Sequence, residues 1–229
     1  ANTTGNRNTA VGYYALKSNT EGNTNTSVGR EALYSNTTGD DNVAVGNGAL
    51  YYNSTADNNT AVGSNALLSN TTGTKHVAIG HDCLEQNTTA DYNTGVGFEV
   101  MKAGTTGDKN TALGCWAYSA VTTGASNVVI GYDAGGAMTT ANNNTIVGRS
   151  AANYESANLT TGTNNQIFGA YNKVSASDTQ YEKIFGYYVT GAANSFTFGQ
   201  DTTDSRIADG ATSITAPSDV RLKEEIEDE

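Results

Sequence analysis

Basic residues are scarce in this 229-residue chain: 12 Lys and Arg stand against 23 Asp and Glu, for a formal net charge of −11 and a pI near 4.5. Nucleic-acid binding is excluded on that ground, because phosphate contacts need clustered Lys and Arg. No apolar run approaches the length of a membrane span. Proline occurs once, at Pro217, and long runs of Leu, Glu, Lys and Ala are missing, so helix-forming content is low. Cysteine occurs twice, as Cys83 and Cys115, in segments two repeats apart. At about 4.8 Å per stacked strand that separation is roughly 9.6 Å, too far for a disulfide within one chain.

What is present is a strict period. Glycine, with 26 copies, recurs at every seventeenth position as Gly12, Gly29, Gly46, Gly63, Gly80, Gly97, Gly114, Gly131 and Gly148, each after an aliphatic residue, as in N-T-A-V-G at 8–12. Seventeen residues cannot hold a helical hairpin or a βαβ unit, so each repeat is one small coil of strand and turns stacked on the next. The fold class expected is all-β, a parallel β-solenoid or β-roll. Nine strand spacings predict a regular rod of about 43 Å, with each motif glycine at a bend where a Cβ would clash or φ must be positive. A lone coil buries roughly one Val, one Leu and a few small residues, little against an ordering cost of about 1–2 kcal/mol per residue. Association of several copies is the expected remedy.

Alternation within the motif predicts an inside and an outside. Thr9 and Val11 share one strand face, and that column stays β-branched or aliphatic (Thr26/Val28, Val43/Val45, Thr60/Val62, Val77/Ile79). The other face stays small, as Ala10, Ser27, Ala44, Ala61, Ala78, Gly95 and Ala112. The aliphatic face reads as the coil interior and the small face as a surface approached by a neighbouring subunit. Ala15-Leu16, Ala32-Leu33 and their successors read as a second apolar strand edge. The S-N-T-T-G segments that follow read as turns whose Asn and Gly take left-handed positions. Asn8, Asn25, Asn42, Asn59, Asn93, Asn110, Asn127 and Asn144 form a column expected to bond from coil to coil, with His76 taking one rung as a structural substitute.

The N-T-A-V-G-x-x-A-L pattern resembles the YadA-like head repeats of trimeric autotransporter adhesins over roughly residues 3–152. That resemblance implies a trimeric β-roll, although the uniform period of 17 is longer than in many head repeats. After Gly148 the comparable glycines are Gly169, Gly186 and Gly199, preceded by Phe168, Phe185 and Phe198. The expected division is therefore a repetitive solenoid over 1–152, an irregular trimeric β stem over 153–217, and a separate segment over 218–229. In that last segment Ser218-Asp219-Val220-Arg221-Leu222-Lys223 resembles the opening of the self-cleaving intramolecular chaperone domain of phage tail spikes, tail fibres and endosialidases. The resemblance implies Ser218 as nucleophile and Lys223 as its partner in a single self-cleavage, with the rest of the chaperone beyond Glu229. A serine needs such a base to take its proton. The opening residues Ala1–Gly5 read as the second half of a repeat, so more chain is expected before them.

Other chemistry is sparse. Asp40, Asp41, Asp57, Asp91 and Asp108 read as solvated turn residues, and no metal site or cofactor is expected. The N-x-T triplets are by-products of the repeat. The expected function is structural and adhesive: a segment of a homotrimeric phage tail fibre on the virion, contacting a host cell-surface glycan or protein and other tail proteins. Tyr13, Tyr14, Tyr51 and Tyr52 flank turns and are the receptor-contact candidates, since an aromatic face packs on a sugar ring. The alternative is a bacterial trimeric surface adhesin of the autotransporter type, on the bacterial cell surface. An ice-binding solenoid is disfavoured because Thr alternates with Val in what reads as an interior column. A polysaccharide-cleaving enzyme would need paired carboxylates, and Glu31, Glu85, Glu99 and Glu155 recur without a repeating partner.

Overall fold

The computed structural model describes residues 2–155, 158–200, 204–208 and 210, and among these there is no helix. Thirteen strands follow in order: β1 Thr9–Val11, β2 Thr26–Val28, β3 Val43–Val45, β4 Thr60–Val62, β5 Val77–Ile79, β6 Thr94–Val96, β7 Thr111–Leu113, β8 Val128–Ile130, β9 Thr145–Val147, β10 Gln166–Phe168, β11 Lys183–Tyr187, β12 Ser195–Gln200 and β13 Ser205–Ala208. They form one sheet in chain order. From β1 to β12 every pairing is parallel, and Thr60, Ala61 and Val62 meet Val77, Ala78 and Ile79, their counterparts one repeat on. The chain is a parallel β-solenoid of about eleven turns.

One short strand per coil leaves the rest to turns, and the turns need unusual backbone. Gly63 has φ +138°, and a Cβ there would lie 2.3 Å from the Gly80 carbonyl oxygen of the next coil. The bend expected at the motif glycine is present for this reason. The left-handed residues are not those of the S-N-T-T-G segment. In the fourth coil they are Asn58, Asn65 and Leu67, at φ 61°, 57° and 52°. Ala66-Leu67 is accordingly a turn and not a second strand edge. The Leu67 N–H donates to the Cys83 carbonyl at 3.0 Å while its side chain is fully buried, which holds a conformation L-residues ordinarily avoid.

The inside and outside of the strand are the reverse of the sequence expectation. Ser27, Ala44, Ala61, Ala78 and Ala112 are fully buried within a single chain, whereas Ile79 and Leu113 of the aliphatic column are 40% and 37% exposed. The cause is thickness. The coil interior behind the strand already holds the Ala-Leu pair and two columns of asparagine, so a methyl fills what remains. Where the centre residue shrinks, its neighbours grow: a Cβ on Gly95 would meet Cys83 Sγ at 2.7 Å and Met101 Cε at 3.3 Å. Where it grows to Val129 and Ile146, the leucine position becomes Gly135 and Ala152. Core volume is thus traded inside each coil.

Asparagine supplies the polar half of the core. Asn42 Oδ1 accepts from the Asn59 N–H at 3.0 Å, Asn59 Oδ1 from the His76 N–H at 3.0 Å, and His76 Nδ1 from the Asn93 N–H at 3.1 Å. The expected ladder exists, with His76 as a rung, and it runs on through Asn165 to the Glu182 N–H. A second ladder links side chains alone: Asn36, Asn53, Asn70 and Asn87 each donate Nδ2 to the preceding Oδ1 at 2.9–3.0 Å. Threonine hydroxyls form a third, as when Thr71 Oγ1 donates to the Thr88 carbonyl at 3.0 Å. Asp40, Asp57, Asp91 and Asp108 each accept from the backbone N–H of the coil before, so they do more than meet solvent.

Strand pairing crosses residue 153 without a break, since β9 pairs β10 with Thr145 opposite Gln166. The coils then measure 21, 17 and 13 residues between the successive glycines Gly148, Gly169, Gly186 and Gly199. Ile167 and Ile184 are fully buried, so the larger residues that follow in the small column fill the interior of their own coils. β13 turns back antiparallel on β12. Ser218 and Lys223 lie outside the described residues.

Candidate functional site

Two positions per coil stand apart from the asparagine and threonine ladders: the first and second residues after each motif glycine, which form a ledge beside the strand face and are tied coil to coil through their backbone, as when the Asn65 N–H donates to the Asn47 carbonyl at 2.9 Å. The first runs Tyr13, Arg30, Asn47, Ser64, His81, Phe98, Cys115, Tyr132 and Arg149. The second, in left-handed backbone, runs Tyr14, Glu31, Gly48, Asn65, Asp82, Glu99, Trp116, Asp133 and Ser150. Stacking one coil apart sets neighbouring side chains in contact.

The four tyrosines singled out from the sequence fall in one patch, joined by Tyr34. Ring centroids lie 3.9 Å apart for Tyr13 and Tyr14, 6.1 Å for Tyr14 and Tyr34, 4.8 Å for Tyr34 and Tyr51, and 4.6 Å for Tyr51 and Tyr52. Tyr34 and Tyr51 stack face to face. Lys17 sits 4.1 Å above the Tyr14 ring and donates to the Tyr34 hydroxyl at 2.9 Å, a bond that raises the lysine pKa.

Beside Tyr51 and Tyr52 the ledge is notched. Gly48 is the one residue without a side chain in its column through Tyr188, and Glu31, Asn47, Gly48, Tyr51, Tyr52, Asn65 and Leu68 line an open hollow of about 200 Å³ there. A larger hollow of about 530 Å³ at the first coils is lined by Asn6, Arg7, Asn23 and Thr24 and has no aromatic wall. The sequence reading took Tyr51 and Tyr52 but missed Gly48. Its signal was the extra glycine of V-G-N-G at 45–48, in a column otherwise made of side chains.

A second aromatic run was missed as well. His81 stacks on Phe98 at 5.3 Å, Phe98 meets Trp116 edge-on at 6.0 Å, and Trp116 meets Tyr132 at 5.4 Å. Arg149 then lies between the Tyr132 and Tyr171 rings at 5.6 and 5.2 Å. Trp116 Nε1 donates to Glu99 at 3.0 Å, and Lys102 bridges Asp82, Glu99 and Glu85 at 2.8, 3.0 and 3.6 Å. Burial pushes the Asp82 carboxyl up, but the bonds from Lys102 and Asn65 outweigh it and hold the group below its ordinary value. Glu85 and Glu99 are therefore brought together around a lysine, Glu31 stands in the notch, and Glu155 pairs with Lys173. Spacing alone hid most of these contacts because they join residues 17, 18 or 20 apart, and only Glu99 and Lys102 are close in sequence.

Cys83 is buried inside its coil, where burial pushes its thiol up to about 12, and Cys115 is half-buried on the ledge; both are free. Among the described residues no group of three His, Cys, Asp or Glu comes together as a metal site, and no helix is long and apolar enough to cross a membrane. The chain matches no protein-family model, no curated protein and no solved structure.

Proposed function

We propose that this chain is a structural and adhesive segment of a homotrimeric phage tail fibre, a rod that assembles through its strand face and offers its ledge to a glycan or protein on the host cell. The observation that carries the reading is the contrast between columns. Within one chain, the asparagine and threonine columns whose side chains bond coil to coil keep nearly the same residue, while the ledge, tied to its neighbours through its backbone, changes its side chains from coil to coil among Tyr, Arg, Asn, Ser, His and Phe. A surface released from structural duty and rich in aromatics suits recognition. The strand face suits assembly. Its column from Val11 to Phe185 is aliphatic or aromatic, runs in register along the whole sheet, and is partly open to solvent in the single chain. Copies packed in parallel would cover it.

The resemblance at Ser218 and Lys223 extends the reading to maturation by a trimerising chaperone that cleaves itself away. The test has two arms. Light scattering on the purified rod should give a trimer, and labelled rod should bind whole bacterial cells of a susceptible host; a monomer, or a rod that binds no cell in a broad screen, overturns the proposal. Expression of the complete gene with Ser218→Ala should give a longer product under denaturing conditions than the wild type. Equal migration would remove Ser218 from the reading.

A second reading gains one observation. Thr26 and Thr60 face outward, so an interior location no longer counts against an ice-binding solenoid. Thr38, Thr55, Thr72, Thr89, Thr106, Thr123, Thr140 and Thr161 also form an exposed column over eight successive coils. Thermal hysteresis by the purified rod would favour this reading over adhesion, and its absence would dismiss it.

A further inference from the structure

We infer that the notch at Gly48 is a binding site for a single neutral pyranose, the terminal unit of a surface glycan. The inference rests on the adhesive reading above and names the ligand of one part of that ledge.

Shape is the first argument. A hollow of about 200 Å³ is smaller than the roughly 300–1,000 Å³ pockets that enclose drug-sized ligands. It has the bulk of one sugar ring. The space exists because Gly48, at φ +65°, leaves out the side chain that Glu31 and Asn65 supply one coil before and one coil after.

Chemistry is the second. A pyranose presents an apolar C–H face and a rim of hydroxyls that both donate and accept. Tyr51 and Tyr52, set edge-to-face at 4.6 Å, give the notch an aromatic wall, and Tyr52 is 53% exposed. Tyr51 is backed by its stack on Tyr34, so the wall is fixed before a ligand arrives. Glu31 offers carboxylate oxygens, and Asn47 offers an amide whose side chain has no bond to any described residue. Asn65 commits Nδ2 to Asp82 at 3.1 Å. Its Oδ1 lies 3.1 Å from where a Gly48 Cβ would stand and accepts from the notch side.

Charge is the third and selects within sugars. Glu31 stands in the notch and the chain as a whole carries −11. Of the cations nearby, Arg30 approaches Glu31 at 3.4 Å from a side chain that is largely exposed, and Lys17 is committed to the Tyr34 hydroxyl at 2.9 Å behind the aromatic wall. A carboxylated or phosphorylated sugar would meet a like charge, whereas an uncharged hexose or N-acetylhexosamine would not.

The test is a titration of ¹⁵N-labelled rod with methyl β-glucopyranoside, methyl β-galactopyranoside and N-acetylglucosamine, and with N-acetylneuraminic acid as the anionic control. At least one neutral sugar should shift the amides of Gly48, Tyr51, Tyr52 and Asn65 to saturation, and the anionic sugar should not. Gly48→Asn fills the notch with a residue that tolerates left-handed backbone and already occupies the same position at Asn65. It should weaken binding by about tenfold or more. Tyr52→Ala, on the exposed wall, should weaken it comparably without touching the coil. No saturable shift with any neutral sugar, or Gly48→Asn and Tyr52→Ala both titrating as wild type, overturns the inference; preferential binding of N-acetylneuraminic acid overturns the charge argument and with it the ligand class. Cell binding by the same Gly48→Asn rod separates the two levels. Full adhesion without any sugar titration would sink the notch and leave the adhesive function standing.

Discussion

His76 is the sole histidine in a ladder otherwise built on asparagine through its first ten rungs, and replacing it with asparagine isolates the effect of one titratable rung. Nε2 lies 2.6 Å from the Ala90 carbonyl and Nδ1 accepts from the Asn93 N–H at 3.1 Å, so the ring is neutral with its proton on Nε2. Protonating Nδ1 would set two donors against each other. Burial lowers the pKa, opposed in part by the Ala90 carbonyl and by Asp91 and Asp108. The unfolded chain, with histidine near its ordinary value of about 6.5, therefore takes up a proton more readily than the folded one. Stability from this residue is full above that value and falls as pH drops through it, by at most about 1.4 kcal/mol per pH unit. Between about pH 7.5 and about pH 5.5 the wild type should lose up to about 1.4 kcal/mol more than His76→Asn. Carboxylates common to both proteins cancel in that difference. Guanidinium unfolding midpoints at the two pH values measure it, and hydrogen exchange at the Asn93 amide localises it. Parallel losses in the two proteins would refute the tautomer and the rung.

Gly63→Ala should destabilise the rod by at least about 2 kcal/mol, because φ +138° and a 2.3 Å approach to the Gly80 oxygen leave a methyl no room; an unchanged melting curve would refute the bend argument. Ala61→Leu should cost about 1–3 kcal/mol by overpacking the coil interior, read as a lower midpoint with the oligomeric state unaltered. Loosened assembly at unchanged stability would restore the small column to an interface. Val62→Lys with Ile79→Lys should do the reverse, giving a folded monomer in light scattering with the wild-type circular dichroism spectrum. A persistent trimer would move the interface elsewhere.

The period, the strand, the glycine bend and the first asparagine ladder were legible because each answers a backbone requirement that recurs in every coil. Gly63 cannot carry a Cβ, and Asn59 must reach the next N–H, so neither column can drift. The direction of the strand faces was not legible. Alternation of Val with Ala says which residues share a face but not which face is enclosed, and the rule that aliphatic residues go inside presumes an interior wide enough for them. Here the Ala66-Leu67 turn and two asparagine columns fill the coil first. The second ladder was hidden in plain sight, since Asn36 and Asn53 read as turn formers until stacking brings their amides to 3.0 Å. Of the site, the tyrosines were visible as residues and Gly48 was not, because a missing side chain gains meaning only once its column is known.

That separation of columns bears on how weak contacts could serve a fibre. Coil-to-coil order is held by main-chain bonds, by amide and hydroxyl ladders and by buried Ala-Leu pairs, none of which depends on a ledge side chain. A change at the side chain of Tyr52 or Phe98 therefore leaves register untouched, and the coils offer a row of adjustable contacts at a fixed spacing of about 4.8 Å, each touching its neighbours through its rings. One sugar in one shallow notch is held weakly. Parallel copies in a trimer would present three such notches at the same height, and once one is filled the others meet their ligands at an effective concentration set by the glycan tether, which for short flexible links is in the millimolar range. Avidity of that kind multiplies affinity without any new contact, provided the notches point outward from the assembly. The strand face and the ledge are adjacent but distinct columns of the same coil, so covering the first need not close the second.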